Sequence, residues 1–143
     1  MAQYNSESVL IDSLNAIIAS NENIGGAGAF FEPGGFLKIN GDYAPYLNRD
    51  GYKAKKLVNF SYEYYKEKEY YKDAKETQKT VITEVYEDLL NGKKIISISK
   101  PIIFNGRFVG VVLVDIDVNI FSSIQQEDMR FPSLVTNILD EHG

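Results

Sequence analysis

The sequence predicts an α+β domain in which a long N-terminal helix packs on a mostly antiparallel β-sheet. Apolar residues recur at helical spacing near the start of the chain, a glycine-bounded apolar stretch follows, and a clear β-hairpin occupies the second half. Strands follow one another after the first helix instead of alternating with helices, which favours α+β over α/β. The 143 residues suit one domain, 1–143, with a core of its own.

The first element is an amphipathic helix over residues 8–19, with Ser6 or Ser8 as its N-cap. Its apolar positions follow the helical repeat: Val9, Leu10, Leu14, Ile17 and Ile18. A turn and a strand over residues 27–32 come next, and residues 35–52 contain enough Gly, Pro, Asn and Asp to be mostly loop. The glycines of GGAG do not form a phosphate-binding loop, because no lysine followed by Ser or Thr accompanies them.

The middle of the chain mixes tyrosines with charged residues. Residues 62–75 are expected to be helical or irregular, and residues 81–85 to form a short strand. Residues 134–139 are expected to form a last strand.

The clearest local signal is the hairpin formed by KKIISISKPIIF and FVGVVLVDIDV around an NGR sequence. Asn105-Gly106 fits a two-residue type I′ turn, and Phe104 should therefore lie opposite Arg107. Without a bulge, the count places Asp115 opposite Ile96.

That register would put Asp115 on an apolar face, where Ile98 lies opposite Leu113. A carboxylate there needs a partner, because burying an unpaired charge is costly. Pro101 lacks an N–H and could introduce a bulge that shifts this count.

Composition excludes several functions. The 15 basic and 20 acidic residues give a net charge of -5, which opposes a nucleic-acid partner. The chain lacks cysteine and has one histidine, His142, so it can build neither a histidine triad nor a thiolate or multi-histidine metal site. We therefore expect no enzyme, metal or cofactor. No apolar run approaches the roughly 20 residues of a membrane span, and the chain as given is expected to be soluble.

Four stretches together resemble an extracytoplasmic Cache domain, the PAS-like sensor module of bacterial chemoreceptors and sensor kinases. They are AFFEP, GDYAPYLNRDG, the tyrosine pair followed by VYED, and ISKPIIFNGRFVGVVLVDIDV, and they span most of residues 29–118. The resemblance implies a non-enzymatic domain that binds a small molecule outside the cytoplasmic membrane. It also implies a longer, membrane-anchored parent receptor that is homodimeric along the N-terminal helix, with this chain as its membrane-distal part.

The resemblance to the amino-acid-binding branch of double Cache sensors also implies a set of ligand-binding residues. These are Tyr43, Lys68, Tyr70, Tyr71, Tyr86, Asp88 and Asp115. Lys68 stands where that branch has arginine, and Tyr70 stands where it has tryptophan. Lysine lacks the planar fork that grips a carboxylate, so an amine or a small carboxylate is an alternative to an amino acid. In this hypothesis the tyrosines wall a pocket, Lys68 faces an anion, and the two aspartates hold an ammonium.

Each of these residues also has a simpler interpretation. The tyrosines can be core, Lys68 can belong to a solvated face, and Asp88 can start a turn. Asp115 can accept structural hydrogen bonds at the end of the sheet. Two other functions stay open: a ligand-free structural or protein-interaction module with a filled pocket, and a sugar hydrolase that uses Asp88 and Asp115 as paired carboxylates.

Overall fold

The computed structural model describes residues 2–36, 41–49, 57–88 and 92–119, and the strand predicted at 134–139 lies outside them. Three helices occur in these ranges: α1 Ala2–Ser20, α2 Tyr62–Tyr65 and α3 Glu69–Thr77. The same ranges contain seven strands: β1 Ile24–Phe31, β2 Pro45–Asn48, β3 Leu57–Asn59, β4 Val81–Ile82, β5 Tyr86–Glu87, β6 Lys94–Phe104 and β7 Arg107–Asp117.

The seven strands form one antiparallel sheet in the order β3-β2-β1-β7-β6-β4, and β5 also pairs with β6. The predicted α+β class, with a long helix before a mostly antiparallel sheet, is confirmed. The first strand, β1, lies between β2 and the last described strand, β7. Strands from both ends of the described chain therefore meet at the centre of the sheet.

Both faces of the central strands are buried. On one face, Leu14 and Ile18 of α1 pack against Ala27 and Leu47. On the other face, α2 and α3 cover an aromatic core. Side chains alternate between the faces along each strand, which explains why GGAGAFF and GVVLVDIDV are apolar almost throughout.

Three predictions made from local pattern need correction. Helix α1 begins at Ala2, so Ser6 and Ser8 lie within it and neither is its N-cap. The segment predicted as loop over 35–52 contains β2, whose residues are all buried. The strand expected over 81–85 ends at Ile82, and a separate strand begins at Tyr86. Strands this short are defined by pairing with β1 or β6, which a local pattern does not show.

The hairpin turn agrees with the prediction. Asn105 and Gly106 both have positive φ, at 53° and 78°, as a type I′ turn requires, and Phe104 pairs with Arg107.

The register beyond the turn is displaced by one residue. Ile103 pairs with Phe108 and Ile102 pairs with Gly110, so Val109 is an extra residue and β7 contains a bulge. Gly110 also allows β7 to approach β1, since a Cβ at this position would lie 2.8 Å from the Cα of Phe31.

The bulge changes which residue lies opposite Asp115. Asp115 lies opposite Ser97, and Ile98 lies opposite Val114, so the predicted pairing of Asp115 with Ile96 is wrong. The residue across from the buried carboxylate is therefore a hydrogen-bond donor.

Candidate functional site

A cavity of about 240 Å³ lies on the face of the sheet opposite α1. Six of its lining residues are aromatic: Phe30, Tyr46, Phe60, Tyr64, Tyr70 and Tyr86. Four are charged: Lys68, Glu87, Asp88 and Asp115. The lining therefore combines aromatic rings with three carboxylates and one ammonium group.

Asp115 of β7 is 5% exposed. The Tyr46 hydroxyl donates to its Oδ2 at 2.5 Å, and the Ser97 hydroxyl donates to its Oδ1. Within the described ranges, no cationic side chain forms an ion pair with this carboxylate. Two neutral hydroxyl groups thus hold a buried acid that can accept about four hydrogen bonds.

Opposing effects set the protonation of Asp115. Burial raises its pKa, hydrogen bonds from Ser97 and Tyr46 lower it, and the nearby Asp88 carboxylate raises it, so that the pKa of Asp115 is about 6. A pKa of about 6 leaves Asp115 mostly ionised at neutral pH. The cavity then contains a buried negative charge.

Tyr46 reaches Asp115 because β1 carries glycine beneath its ring. A Cβ at Gly26 would lie 2.5 Å from the Tyr46 Cζ, and one at Gly28 would lie 3.0 Å from its Cδ2. Burial and then the Asp115 charge raise the pKa of Tyr46 well above its usual value. Tyr46 is therefore a neutral hydrogen-bond donor.

The aromatic wall is continuous. Phe30 lies 5.5 Å from Tyr70 and 5.6 Å from Phe60 between ring centroids. Phe60 stacks on Tyr64 at 4.8 Å, and Tyr70 stacks on Tyr86 at 6.3 Å. Burial is the main cause that raises the pKa of Tyr70 and of Tyr86, so both hydroxyl groups stay protonated.

Lys68 is half-buried, and its Nζ lies 4.9 Å from the centroid of the Tyr64 ring. Its extended backbone precedes α3, and its carbonyl accepts hydrogen bonds from the N–H groups of Tyr71 and Lys72. The start of α3 thus fixes the backbone of Lys68 beside the cavity, and its ammonium is close to an aromatic face.

Asp88 has the turn geometry that its simpler interpretation predicts. Its N–H donates to the carbonyl of Lys93 at 2.7 Å, and its carbonyl accepts from the N–H of Gly92 at 2.7 Å. The Asp88 residue is nevertheless buried and lines the cavity. The two interpretations are compatible, because the backbone closes the turn and the residue borders the site.

Of the seven residues named from the sequence, the structure brings five to the cavity: Lys68, Tyr70, Tyr86, Asp88 and Asp115. Tyr43 instead stacks on Phe36 at 5.1 Å. Tyr71 is fully buried, and its hydroxyl donates to Glu32 Oε2 at 2.5 Å. Tyr43 and Tyr71 therefore do not line this cavity, and their role in ligand binding stays a prediction.

The sequence interpretation missed Phe30, Tyr46, Phe60 and Tyr64 on the cavity wall, and Ser97 behind it. Gly28 within the predicted strand was an available signal, because glycine inside a strand often marks the close approach of another group. Tyr46 makes that approach. No local pattern marked Phe60 or Tyr64.

The family of the chain follows from a comparison with protein-family models. Residues 10–125 match the model of the methyl-accepting chemotaxis protein-like, first PDC sensor domain. The chain belongs to this family of PDC sensor domains. The match confirms the Cache-type resemblance, and the family is a sensor domain of receptors. No curated protein matches the chain.

Solved structures share the PDC fold. The extracellular domain of the candidate histidine kinase mmHK1S-Z2 is 24% identical with a TM-score of 0.66, and the match covers 82% of this chain and 47% of that one. The ligand-binding domain of Mlp24 with asparagine is 23% identical with a TM-score of 0.51, covering 82% and 51%. The Campylobacter jejuni chemoreceptor Tlp3 sensory domain with isoleucine bound is 19% identical with a TM-score of 0.52, covering 73% and 37%.

The PDC domain described here spans about half, or less, of the length of these structures. Its family consists of receptor sensor domains, and the solved structures that share its fold include an extracellular domain of a candidate histidine kinase. Among the described residues, no helix is both long and apolar enough to cross a membrane.

Proposed function

We propose that this PDC domain is the ligand-binding sensor of a chemotaxis or signal-transduction receptor, and that its cavity binds a small amine or amino acid through the ligand's ammonium group. The observation that carries the proposal is Asp115, a buried carboxylate on the cavity that neutral hydroxyl groups hold. A ligand cation would supply the opposite charge that a buried carboxylate favours.

The rest of the lining supports a cationic ligand. Asp88 and Glu87 add negative charge, and Lys68 is the one cation among the lining residues described. Aromatic faces attract cations, and Phe30, Tyr70 and their neighbours supply several. A cavity of about 240 Å³ is smaller than the roughly 300–1,000 Å³ of typical drug-sized pockets, which favours a small ligand.

A ligand carboxylate would lie on the Lys68 side. Lysine offers a point charge without arginine's fork, so it would add affinity for a carboxylate without strict geometry. Mlp24 was solved with asparagine, and Tlp3 with isoleucine and with L-norvaline. These amino acids motivate our choice of ligands to test.

Signalling forms part of the same proposal. A ligand shifts a receptor only by binding one of its conformations more tightly than another. We propose that the domain belongs to a membrane-anchored receptor that dimerises along α1, and that ligand binding changes how the aromatic face packs on the sheet.

The decisive experiment compares three matched ligands by calorimetry and thermal unfolding. L-Norvaline carries both charges, butylamine lacks the carboxylate, and pentanoate lacks the ammonium. We expect the first two to bind and pentanoate to fail. A ligand at a hundredfold its Kd should stabilise the domain by about 2.7 kcal/mol, which raises Tm by roughly 6–10 °C.

Two variants assign the binding to the cavity. Asp115→Asn should abolish the response to butylamine. Asp117→Asn, two residues further along β7 and outside the lining, should preserve it. Binding of pentanoate alone would contradict the ammonium site. The absence of any response across a broad panel of amines and amino acids would favour a ligand-free interaction module.

A further inference from the structure

Ser97 lies behind the cavity wall, and both its hydroxyl and its backbone N–H group form hydrogen bonds. It has no exposed surface and lies opposite Asp115 on the neighbouring strand. Its Oγ donates to Asp115 Oδ1 and lies 2.5 Å from the Tyr86 hydroxyl. Its backbone N–H donates to Thr83 Oγ1 at 3.0 Å, and the Thr83 hydroxyl donates to the carbonyl of Glu84 at 2.8 Å.

Counting protons gives this network a direction. A serine hydroxyl has one proton, and Ser97 donates it to the carboxylate. The Tyr86 hydroxyl must therefore donate to Ser97 when Asp115 is ionised. The result is an ordered chain from Tyr86 through Ser97 to Asp115, in which each donor strengthens the next.

We propose that Ser97 is a positioning residue of the ligand site: it keeps Asp115 ionised and oriented for a ligand cation and links that charge to the Tyr86 hydroxyl on the cavity wall. Ser97 contacts no ligand itself in this proposal. The role for ligand affinity rests on the function proposed above, whereas the effect on Asp115 exists in the unliganded domain.

Several charged or titratable groups act on Asp115 from the elements around it. They are Tyr46 of β2, Tyr64 of α2, Tyr70 of α3, Tyr86 of β5, and Asp88 in the turn before β6. Of these, Asp88 favours the neutral acid by charge repulsion, and Tyr46 favours the carboxylate by donating to it. Ser97 is the second donor to the carboxylate. Its loss should shift Asp115 towards the neutral form.

Ser99 provides a matched control for the test. It lies two residues away on the same strand, is equally buried, and donates to the carbonyl of Tyr70 at 2.7 Å instead of to a carboxylate. Ser97→Ala and Ser99→Ala thus each remove one buried serine hydroxyl. The Asp115 pKa should be measured by NMR titration of its side-chain carboxyl in both variants and in the wild-type domain, without ligand.

We expect Ser97→Ala to raise the Asp115 pKa by about one pH unit or more, and Ser99→Ala to leave it within about 0.3. With butylamine as probe, the affinity of Ser97→Ala should fall about fivefold at pH 6, where its Asp115 is mostly neutral. The affinities should converge near pH 8.5, where Asp115 is ionised in both proteins. A merely structural role would lower affinity equally at both pH values.

Tyr86→Phe covers the case in which Ser97→Ala does not fold. It removes the outer hydroxyl of the chain and leaves Ser97 in place, so the Asp115 pKa should rise by a smaller amount in the same direction. An unchanged Asp115 pKa in the folded variants, or an equal rise in Ser99→Ala, would overturn the role of Ser97. If butylamine fails to bind the wild-type domain while the pKa responds as expected, the proposed ligand is wrong and the Ser97–Asp115 coupling stands.

Discussion

Burial of the Asp115 carboxyl makes the stability of the domain depend on pH. Its pKa rises from 3.8 to about 6 on folding. The folded domain therefore holds this proton more tightly than the unfolded chain does. It follows that the contribution of Asp115 to stability falls as pH rises from about 4 to about 6, and stays low above that range.

Asp115→Asn should remove this pH dependence. The pKa shift corresponds to about 3 kcal/mol of unfolding free energy, which is the largest change in stability that titration of this carboxyl can produce. We compare the unfolding free energy of the variant with that of the wild-type domain at each pH. This difference should be roughly 2 kcal/mol more favourable to the variant at pH 7 than at pH 4.5. Urea denaturation at the two pH values measures it.

Asp117→Asn serves as the control here as well, since Asp117 is partly exposed and its carboxylate lies 3.9 Å from the Lys93 ammonium. If Asp115→Asn instead loses the same stability at both pH values, the carboxylate contributes to packing, and burial of its ionised form does not lower stability at pH 7. Stabilisation at pH 7 together with loss of butylamine binding would be the pattern of a functional residue retained at a cost in stability.

Strand β1 sets the geometry of the site through its glycines. Gly26 pairs with Asp115 on one side and Asn48 on the other, and the ring of Tyr46 crosses above its backbone. A Cβ at Gly25, in contrast, would have only the Asp115 carbonyl nearby, at 3.6 Å. Two adjacent glycines therefore differ sharply in the space around them.

Gly26→Ala should displace the Tyr46 ring and break its hydrogen bond to Asp115. We expect butylamine affinity to fall at least about tenfold and stability to decrease by about 1–3 kcal/mol, the range for overpacking a core. Calorimetry and urea denaturation test this. Gly25→Ala should change both quantities little, and equal effects of the two substitutions would refute the proposed role of the Tyr46 contact.

The bulge in β7 determines which residues of the hairpin face the cavity. A one-residue change of register exchanges the residue opposite each side chain, so the bulge replaces Ile96 by Ser97 across from Asp115. The turn at Asn105-Gly106 was recognisable from its two residues. The bulge depends on how β7 also pairs with β1, where Gly110 lies opposite Phe31.

At the level of the whole domain, Arg49 joins α1 to the sheet. Its Nε donates to the carbonyl of Ile24 at 2.5 Å, and its Nη2 donates to the carbonyls of Ile18 and Asn21. These carbonyls belong to the last turn of α1, the connection after it and the start of β1. One guanidinium thus satisfies backbone acceptors at the end of the helix that packs against the sheet.

Arg49→Lys should lower the free energy of unfolding by about 1–3 kcal/mol, because an ammonium cannot reproduce three hydrogen bonds directed from a planar fork. Urea denaturation measures the loss. Arg107→Lys, at the exposed end of the hairpin, changes the same residue type and should have little effect. A similarly small effect at position 49 would show that packing of Leu14 and Ile18 alone holds α1 in place.

Sequence patterns predicted those parts of the domain that depend on nearby residues. The periodicity of Leu14 and Ile18 placed the helix, although its first turns carry no such stripe. The Asn105-Gly106 turn placed the hairpin, and Asp115 was recognised because a carboxylate in an apolar strand needs a partner. The family motif grouped Tyr43 and Tyr71 with the ligand residues, and motif position does not show whether a side chain reaches the cavity: Tyr71 lies in the same aromatic core but donates to Glu32.

The sequence by itself determined the α+β class, the sensor family and the acid on which the proposed site depends, because each is marked by residues close together in the chain. Only the tertiary structure decided what surrounds that acid. The Tyr46–Asp115 hydrogen bond joins residues 69 positions apart, and the Ser97–Asp115 bond depends on a bulge beyond the turn. Contacts between distant residues arise from strand order and from side-chain packing on the two faces of the sheet, which no local pattern specifies.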